Sequence, residues 1–377
     1  MPPIRLGVIG LSAQGWAAAA LIPPLFDPLL SSKYTLTALC TSSEASAKTS
    51  AAKYTELAGR PVKGYFGETG PTDIANDPEV DMVVISVKIP DHYKVVMPAV
   101  EAGKDIFLEW SPGKDLQETI RMAEAAKAKG LRSLVGAQPN QGNTAKKVKE
   151  LLQTGKVGRV LSTSISFIWP SEMHFAGRTS SWQNAYSLDL RNGATLLTIA
   201  GAHNIIMLEY VFSEFTAVSA ATTVRIPQVK AVDASGNPTG DVLPKTAHDQ
   251  VVLTGYLGGQ YDGTLVNLLC QAGPPGGRFS WYIDGEDGVI EVRSRPENGI
   301  YGAFPSTSEM QILLNDEEVA LETKEEDRLG NSGKAWLEFA KGVDGYYETL
   351  ESSVRVWKVL DAAMKSIEEG GKMVSVV

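Results

Sequence analysis

Residues 4–136 alternate short apolar runs with amphipathic segments, and no other feature restricts the possible folds as much. Ile4–Ile9, Tyr34–Cys40, Val80–Val87, Asp105–Leu108 and Ser133–Ala137 read as strands; Gly15–Ile22, Ala45–Leu57, Tyr93–Ala102 and Leu116–Lys129 read as helices. Met82-Val83-Val84-Ile85 is apolar at every position, which suits a strand buried on both faces of a parallel sheet. Such alternation predicts a doubly wound α/β sheet of the Rossmann type. Pro23-Pro24 interrupts or ends the first helix, because neither residue has an N–H to donate.

The pattern changes after residue 138, and the 377-residue length also favours two domains. One domain is expected over 1–138 and a second, α+β, over 139–377. Thr144–Leu152 and Thr195–Val211 read as helices among longer strands: Val160–Ile168, Ala217–Ile226, Val251–Leu257, Tyr261–Cys270, Phe279–Ile283, Val289–Val292 and Met310–Leu314. Gly258-Gly259 predicts a tight turn between two of them. Consecutive strands with short turns predict an open, mainly antiparallel sheet. Residues 227–248 and 294–307 read as loops, Asn331–Gly342 and Tyr346–Glu369 as helices. The last carries one apolar stripe (Val356, Trp357, Leu360, Ala363, Met364 and Ile367) and is expected to pack back toward the N-terminal domain.

Composition narrows the function classes. Apolar residues make 43% and charged residues 21%, so a largely disordered chain is excluded. A net charge of -9, with no basic block, argues against direct nucleic-acid binding. Cys40 and Cys270 lie in apolar runs and form no CxxC or Cys/His cluster, so no metal is expected. The first residues lack a signal-peptide pattern and the longest apolar stretch, Trp16–Ile22, is too short to span a bilayer; a cytoplasmic protein is expected.

The first βα turn reads Gly10-Leu11-Ser12-Ala13-Gln14-Gly15. It occupies the place of a G-x-G-x-x-G pyrophosphate turn with Ser12 for the second glycine. Gly10 permits the sharp turn, and the following N–H groups can meet a pyrophosphate. After strand two, where a carboxylate would bind the ribose of NAD and repel the extra phosphate of NADP, stand Thr41, Ser42 and Ser43, with Lys48 one turn on. That favours NADP over NAD, although Glu44 lies close and the hydroxyls can equally cap a helix.

Further stretches complete a resemblance: Ser86-Val87-Lys88-Ile89-Pro90-Asp91-His92-Tyr93, Glu101 to Trp110, Leu151 to Val160, Gly193-Ala194-Thr195-Leu196-Leu197 with Gly201-Ala202-His203, and Ile283 to Gly288. Together these resemble the glucose–fructose oxidoreductase/inositol dehydrogenase (Gfo/Idh/MocA) family over nearly the whole chain. Gly15-Trp16, His92 to Pro98, Glu109-Trp110 and Pro244-Lys245-Thr246 are most similar to its fungal branch, which contains the galactose regulon repressor. The resemblance implies cofactor contacts at Val87, Lys88, His92, Glu109 and Trp110. It also implies a homodimer formed through the C-terminal sheet, using an outer face on Ala217–Ile226 or Val251–Cys270. The departures are as telling. Family enzymes read Glu-Lys-Pro where this chain reads Glu109-Trp110-Ser111, and carry an Asp where this chain has Ile199.

Hydride chemistry belongs to the nicotinamide, and the protein must handle one proton. His203 is the first candidate, because its ring titrates near neutrality; Tyr186 and Lys88 follow. Asp91 and His92 can instead cap the next helix, and His174 and His248 are minor candidates. The rings Trp110, Phe167, Trp169, His174, Phe175, Trp182 and Tyr186 suggest a substrate less polar than a free hexose, or else a dense core. Three functions remain open: an NAD(P)-dependent oxidoreductase on a small, apolar or aromatic carbonyl compound; a cofactor-binding transcriptional regulator with a transcription-factor partner, which could be nuclear; and a redox-neutral isomerase or lyase.

Overall fold

The computed structural model describes residues 2–171, 177–233, 235–305 and 310–377. Two compact units emerge: Met1–Gln138 with Thr323–Val354, and Pro139–Glu322 with Arg355–Val377.

The first unit is a six-stranded parallel sheet of β1 (Ile4–Ile9), β2 (Tyr34–Thr41), β3 (Lys63–Phe66), β4 (Met82–Ile85), β5 (Asp105–Glu109) and β6 (Ser133–Gly136), in the order β3-β2-β1-β4-β5-β6. The strand order, not the strand direction, changes sense between β1 and β4, where doubly wound folds open a ligand crevice. All four β4 residues are buried, as their uniform apolarity predicts. The helices are α1 (Pro28–Ser31), α2 (Glu44–Ala58), α3 (Gly70–Ala75), α4 (His92–Glu101) and α5 (Leu116–Ala128). Ser43 caps α2 by accepting from the N–H of Ser46, and Asp115 caps α5 by accepting from that of Glu118.

The helix expected over Gly15–Ile22 is instead a π-helical turn, Ala17–Leu21, running into a 3-10 turn, Pro23–Phe26. The N–H of Ile22 reaches back to the carbonyl of Ala17 (3.0 Å), and Pro23 and Pro24 supply no donors to continue an α ladder.

The second unit is built on a nine-stranded sheet. Its strands are β7 (Val160–Trp169), β9 (Phe215–Thr223), β12 (Gln250–Leu257), β13 (Leu265–Ala272), β14 (Arg278–Gly285), β15 (Val289–Arg293), β16 (Gln311–Leu314), β17 (Glu317–Glu318) and β18 (Val374–Ser375). Pairing is antiparallel except between β7 and β13. The first two helices here are α6 (Asn143–Gln153) and α7 (Ala202–Val211), the latter preceded by a π-helical turn, Leu197–Gly201. By length and composition Leu190–Val211 could cross a membrane, but 83% of its apolar window is buried in the protein, which makes it a core helix.

Three expectations need correction. Residues 227–248 are no plain loop: β10 (Gln228–Val232) and β11 (Pro238–Pro244) form a hairpin, extended to a three-stranded sheet by β8 (Thr179–Ser181). Val229, Ala231 and Leu243 are its buried positions, too few to stand out as strand periodicity. Within 294–307, Pro296–Ala303 forms 3-10 turns. The Gly258-Gly259 turn is longer than expected, because Gly259–Tyr261 makes a 3-10 turn and β13 starts only at Leu265.

The second domain also does not run unbroken to residue 377. Within the first unit, α8 (Gly330–Ala340) packs Trp336 flat against Phe107 of β5 (4.8 Å between centroids) and edge-on to Tyr34 of β2. The Tyr34 hydroxyl donates to the Trp336 carbonyl (2.7 Å). Fully buried Trp336 and Phe339 complete this unit's core, so Thr323–Val354 belongs with it. The segment expected to return was the last helix; α9 (Leu350–Glu368) contributes only its first turn.

Candidate functional site: the carboxyl edge of the parallel sheet and a histidine helix

Gly10 stands just past β1 at φ +92°, and a Cβ there would overlap the Ser86 carbonyl oxygen past β4. Only glycine allows the two strand exits to approach so closely. The Gly10 N–H donates to the Cys40 carbonyl (2.9 Å), which ties the turn to β2 as well. Leu11 is buried and anchors the loop. The Ser12 hydroxyl folds back to donate to the Gln14 carbonyl, and Gly15 turns the chain at φ +111°. Among the described residues, the N–H groups of Ala13, Gln14 and Gly15 have no protein acceptor. This donor set fits a pyrophosphate, although it belongs to the loop rather than to a long helix N-terminus.

The expected ribose contacts divide. Thr41 is buried and donates to the Ser43 carbonyl (3.1 Å), and Ser43 is the α2 cap, while Ser42 is exposed. Lys48 is exposed on α2. The cation that reaches the turn is Lys53, whose Nζ donates to the Ala13 carbonyl (3.2 Å); nothing in the local pattern singled it out.

At the exits of β4 and β5 the positions take different roles. Val87 is half-buried and Lys88 exposed, just before a 3-10 turn, Ile89–Asp91. His92 is fully buried: Nδ1 lies 2.8 Å from the Ser111 carbonyl and 3.2 Å from that of Pro112, and Nε2 lies 3.1 Å from that of Val87. It therefore braces the two exits against each other rather than offering an edge to a ligand, and burial holds its pKa below the usual value. Glu109 ends β5. Its Oε1 accepts from Trp16 Nε1 (3.0 Å), and its Oε2 lies where a Cβ on Gly136 of β6 would come within 2.6 Å. Burial pushes the Glu109 carboxyl up to about 7. Trp110 is 7% exposed, and the Trp110–Ser111 peptide bond is cis.

In the second unit, His203 sits near the start of α7, and its Nδ1 lies 2.7 Å from the carbonyl oxygen of Ile199. A nitrogen facing a carbonyl must carry the hydrogen, so the neutral ring has its lone pair on Nε2. Burial lowers the pKa of the ring. The side chain at 199 cannot orient the histidine, but the backbone at 199 does. Tyr186 is half-buried on a 3-10 helix, Trp182–Leu188, and burial raises its pKa. Nearby Asp189 is held by Arg191 (2.6 Å). Phe167 and Trp169 pack on each other and on Phe304, which makes them core rather than an open aromatic wall; Trp182 is exposed. His174 and Phe175 lie outside the described residues. Among the described residues no group of His, Cys, Asp and Glu could hold a metal ion.

A parallel sheet with this turn in one unit, and an open, mainly antiparallel sheet in the other, define the NAD-binding oxidoreductase class. The model of the oxidoreductase family with NAD-binding Rossmann fold matches residues 4–137, and that of the Gal80p C-terminal domain matches 144–294. The chain belongs to the Gfo/Idh/MocA family, in its Gal80-like branch. It is 30% identical to dehydrogenase aclE of Aspergillus oryzae over 97% of both chains. It is 29% identical to the galactose/lactose metabolism regulatory protein GAL80 of Saccharomyces cerevisiae, over 68% of this chain and 58% of that one. Among solved structures, a super-repressor mutant of Gal80p from Saccharomyces cerevisiae matches with a TM-score of 0.83 at 21% identity, covering 99% of this chain and 98% of the other. A levoglucosan dehydrogenase in complex with NADH and L-sorbose matches with a TM-score of 0.77 at 18% identity, over all of both chains.

Proposed function

We propose that this chain is an NAD(P)-dependent oxidoreductase that interconverts an alcohol and a carbonyl on a small molecule, with His203 handling the proton. The observation that carries this reading is the bond from His203 Nδ1 to the Ile199 carbonyl (2.7 Å). It supplies by backbone the orientation that a carboxylate gives other family members. When bound, the dinucleotide exchanges the hydride with the reacting carbon. His203 takes the hydroxyl proton on Nε2 during oxidation and returns it during reduction. A lowered pKa keeps the ring neutral near pH 7, which favours the base role and hence oxidation. Tyr186 and Lys88 are the remaining proton or hydrogen-bond donors.

NADP is the preferred cofactor in this reading. Ser42 follows β2, where NAD-selective sites carry a carboxylate, and Lys53 brings a positive charge to the glycine turn. The substrate is less polar than a free hexose, because Trp110 and Ile199 replace two hydrogen-bonding groups. A second copy of the chain covers the open face of the nine-stranded sheet. Val252, Tyr256, Leu265, Tyr282 and Val289 are each more than a third exposed there. Light scattering should therefore report a dimer.

The test is a screen of aromatic and aliphatic alcohols with NADP, and of the matching carbonyls and aldoses with NADPH, following reduced-nicotinamide absorbance. His203→Asn should cost roughly 10²–10⁴-fold in turnover. Full activity in His203→Asn would remove the assignment, and aldoses reacting to the exclusion of apolar carbonyls would remove the substrate class. The Gal80p C-terminal match, together with Trp110 and Ile199, favours a second reading, a regulator that uses NAD(P) as a ligand. Saturable cofactor binding with no turnover, and a protein partner whose capture depends on NAD(P), would select it.

A further inference from the structure

Trp16 and Glu109 form a clasp that no pattern in the chain announces. Trp16 directly follows the glycine turn past β1, and Glu109 ends β5; β4 lies between these strands, so the indole reaches across its exit. Neighbouring strands lie about 4.8 Å apart, so the reach is about 10 Å across the carboxyl edge of the sheet. The indole remains 52% exposed although it donates to Glu109 Oε1 (3.0 Å). Glu109 Oε2 is turned toward Gly136, where even a Cβ would crowd it to 2.6 Å. Oε1 is the oxygen turned away from Gly136, and the bulky indole that donates to it lies over its approach. In a doubly wound sheet a dinucleotide crosses the carboxyl ends of the strands beside the reversal, here β1 and β4. A dinucleotide bound there would bring ribose hydroxyl donors to the same edge.

We propose that Trp16 is a cofactor-responsive gate: its indole N–H and a ribose hydroxyl of the dinucleotide are alternative donors to Glu109 Oε1, and the indole leaves the carboxylate as the dinucleotide enters. The gate rests on the proposal that a dinucleotide binds this edge. The exchange replaces one donor by another at a fixed acceptor, so the empty site stays satisfied. A bond of this kind in a half-exposed setting, once removed as a competitor, should alter affinity by roughly three- to tenfold.

The test uses the full chain labelled with 5-fluorotryptophan, with NADP and NAD as probes. The fluorine resonance of Trp16 is the one missing in Trp16→Phe. It should move on saturation with cofactor, and Trp16→Phe, while still folded, should bind cofactor three- to tenfold more tightly. Gly136→Ala, which crowds Oε2, should shift the same resonance without cofactor. An immobile Trp16 resonance in a protein saturated with cofactor, or unchanged or weaker affinity in Trp16→Phe, would overturn the gate while leaving cofactor binding in place. No saturable binding by the unsubstituted chain would instead overturn the underlying reading, and the gate with it.

Discussion

Glu109 should make the first unit less stable as pH rises toward neutrality, and Glu109→Gln should abolish the effect. The carboxyl has an ordinary value of 4.5, and burial pushes it up to about 7, while the Trp16 indole and the Trp110 N–H pull the other way. The folded protein therefore holds a proton that the unfolded chain releases across this window. Stability is greatest below the unfolded value, falls as pH climbs through the window, and levels off above the folded value. A displacement of 2.5 pH units corresponds to about 3 kcal/mol at 1.36 kcal/mol per unit, an upper bound because the neighbouring indole is half exposed. Urea unfolding at intervals from pH 4.5 to 8 measures the slope, and the comparison with Glu109→Gln isolates this group from the other carboxylates. An identical slope in both proteins would refute the reasoning, because Glu109 would then titrate alike in the folded and unfolded states.

Other outcomes follow from particular contacts. Gly10→Ala places a side chain on the Ser86 carbonyl at φ +92° and should destabilise the first unit by about 3 kcal/mol or more, read by denaturant melts. In the second unit, Asp249 accepts from the N–H groups of Arg225 and Ile226 (both 2.8 Å) and from Lys245 Nζ (3.3 Å), with both side chains of the pair fully buried. Asp249→Ala leaves a buried cation and two orphaned donors, and should cost about 3–5 kcal/mol in the unfolding of that unit. If His203 is the base, alcohol oxidation should fall as pH drops through a value below 6.5, and the inflection should vanish in His203→Asn. Lys53→Glu should weaken NADP more than NAD, measured by calorimetry; equal losses would sink the selectivity argument.

Much of the fold was legible because burial on both faces writes itself into composition: Met82 to Ile85 could be little else than a central parallel strand. The hairpin of β10 and β11 was not, because its outer strand is exposed at all but one position and carries no apolar alternation. The return of α8 to the first unit was equally hidden, since an amphipathic stripe tells which residues are buried but not against what. At the site, Gly10 was readable from type and spacing. The backbone support of His203 was not, because a carbonyl has the same identity at every residue. Trp16 and Lys53 act across distances that neighbouring residues do not record. His92 shows the converse: a motif position whose ring turns inward as a brace.

Calorimetric titration of the intact chain with NADPH and NADH bears most directly on all of this. Saturable binding at one site per chain, tighter for NADPH and lost in Gly10→Ala that is still folded, is the expected result. A folded protein that takes up neither cofactor at millimolar concentration would contradict it.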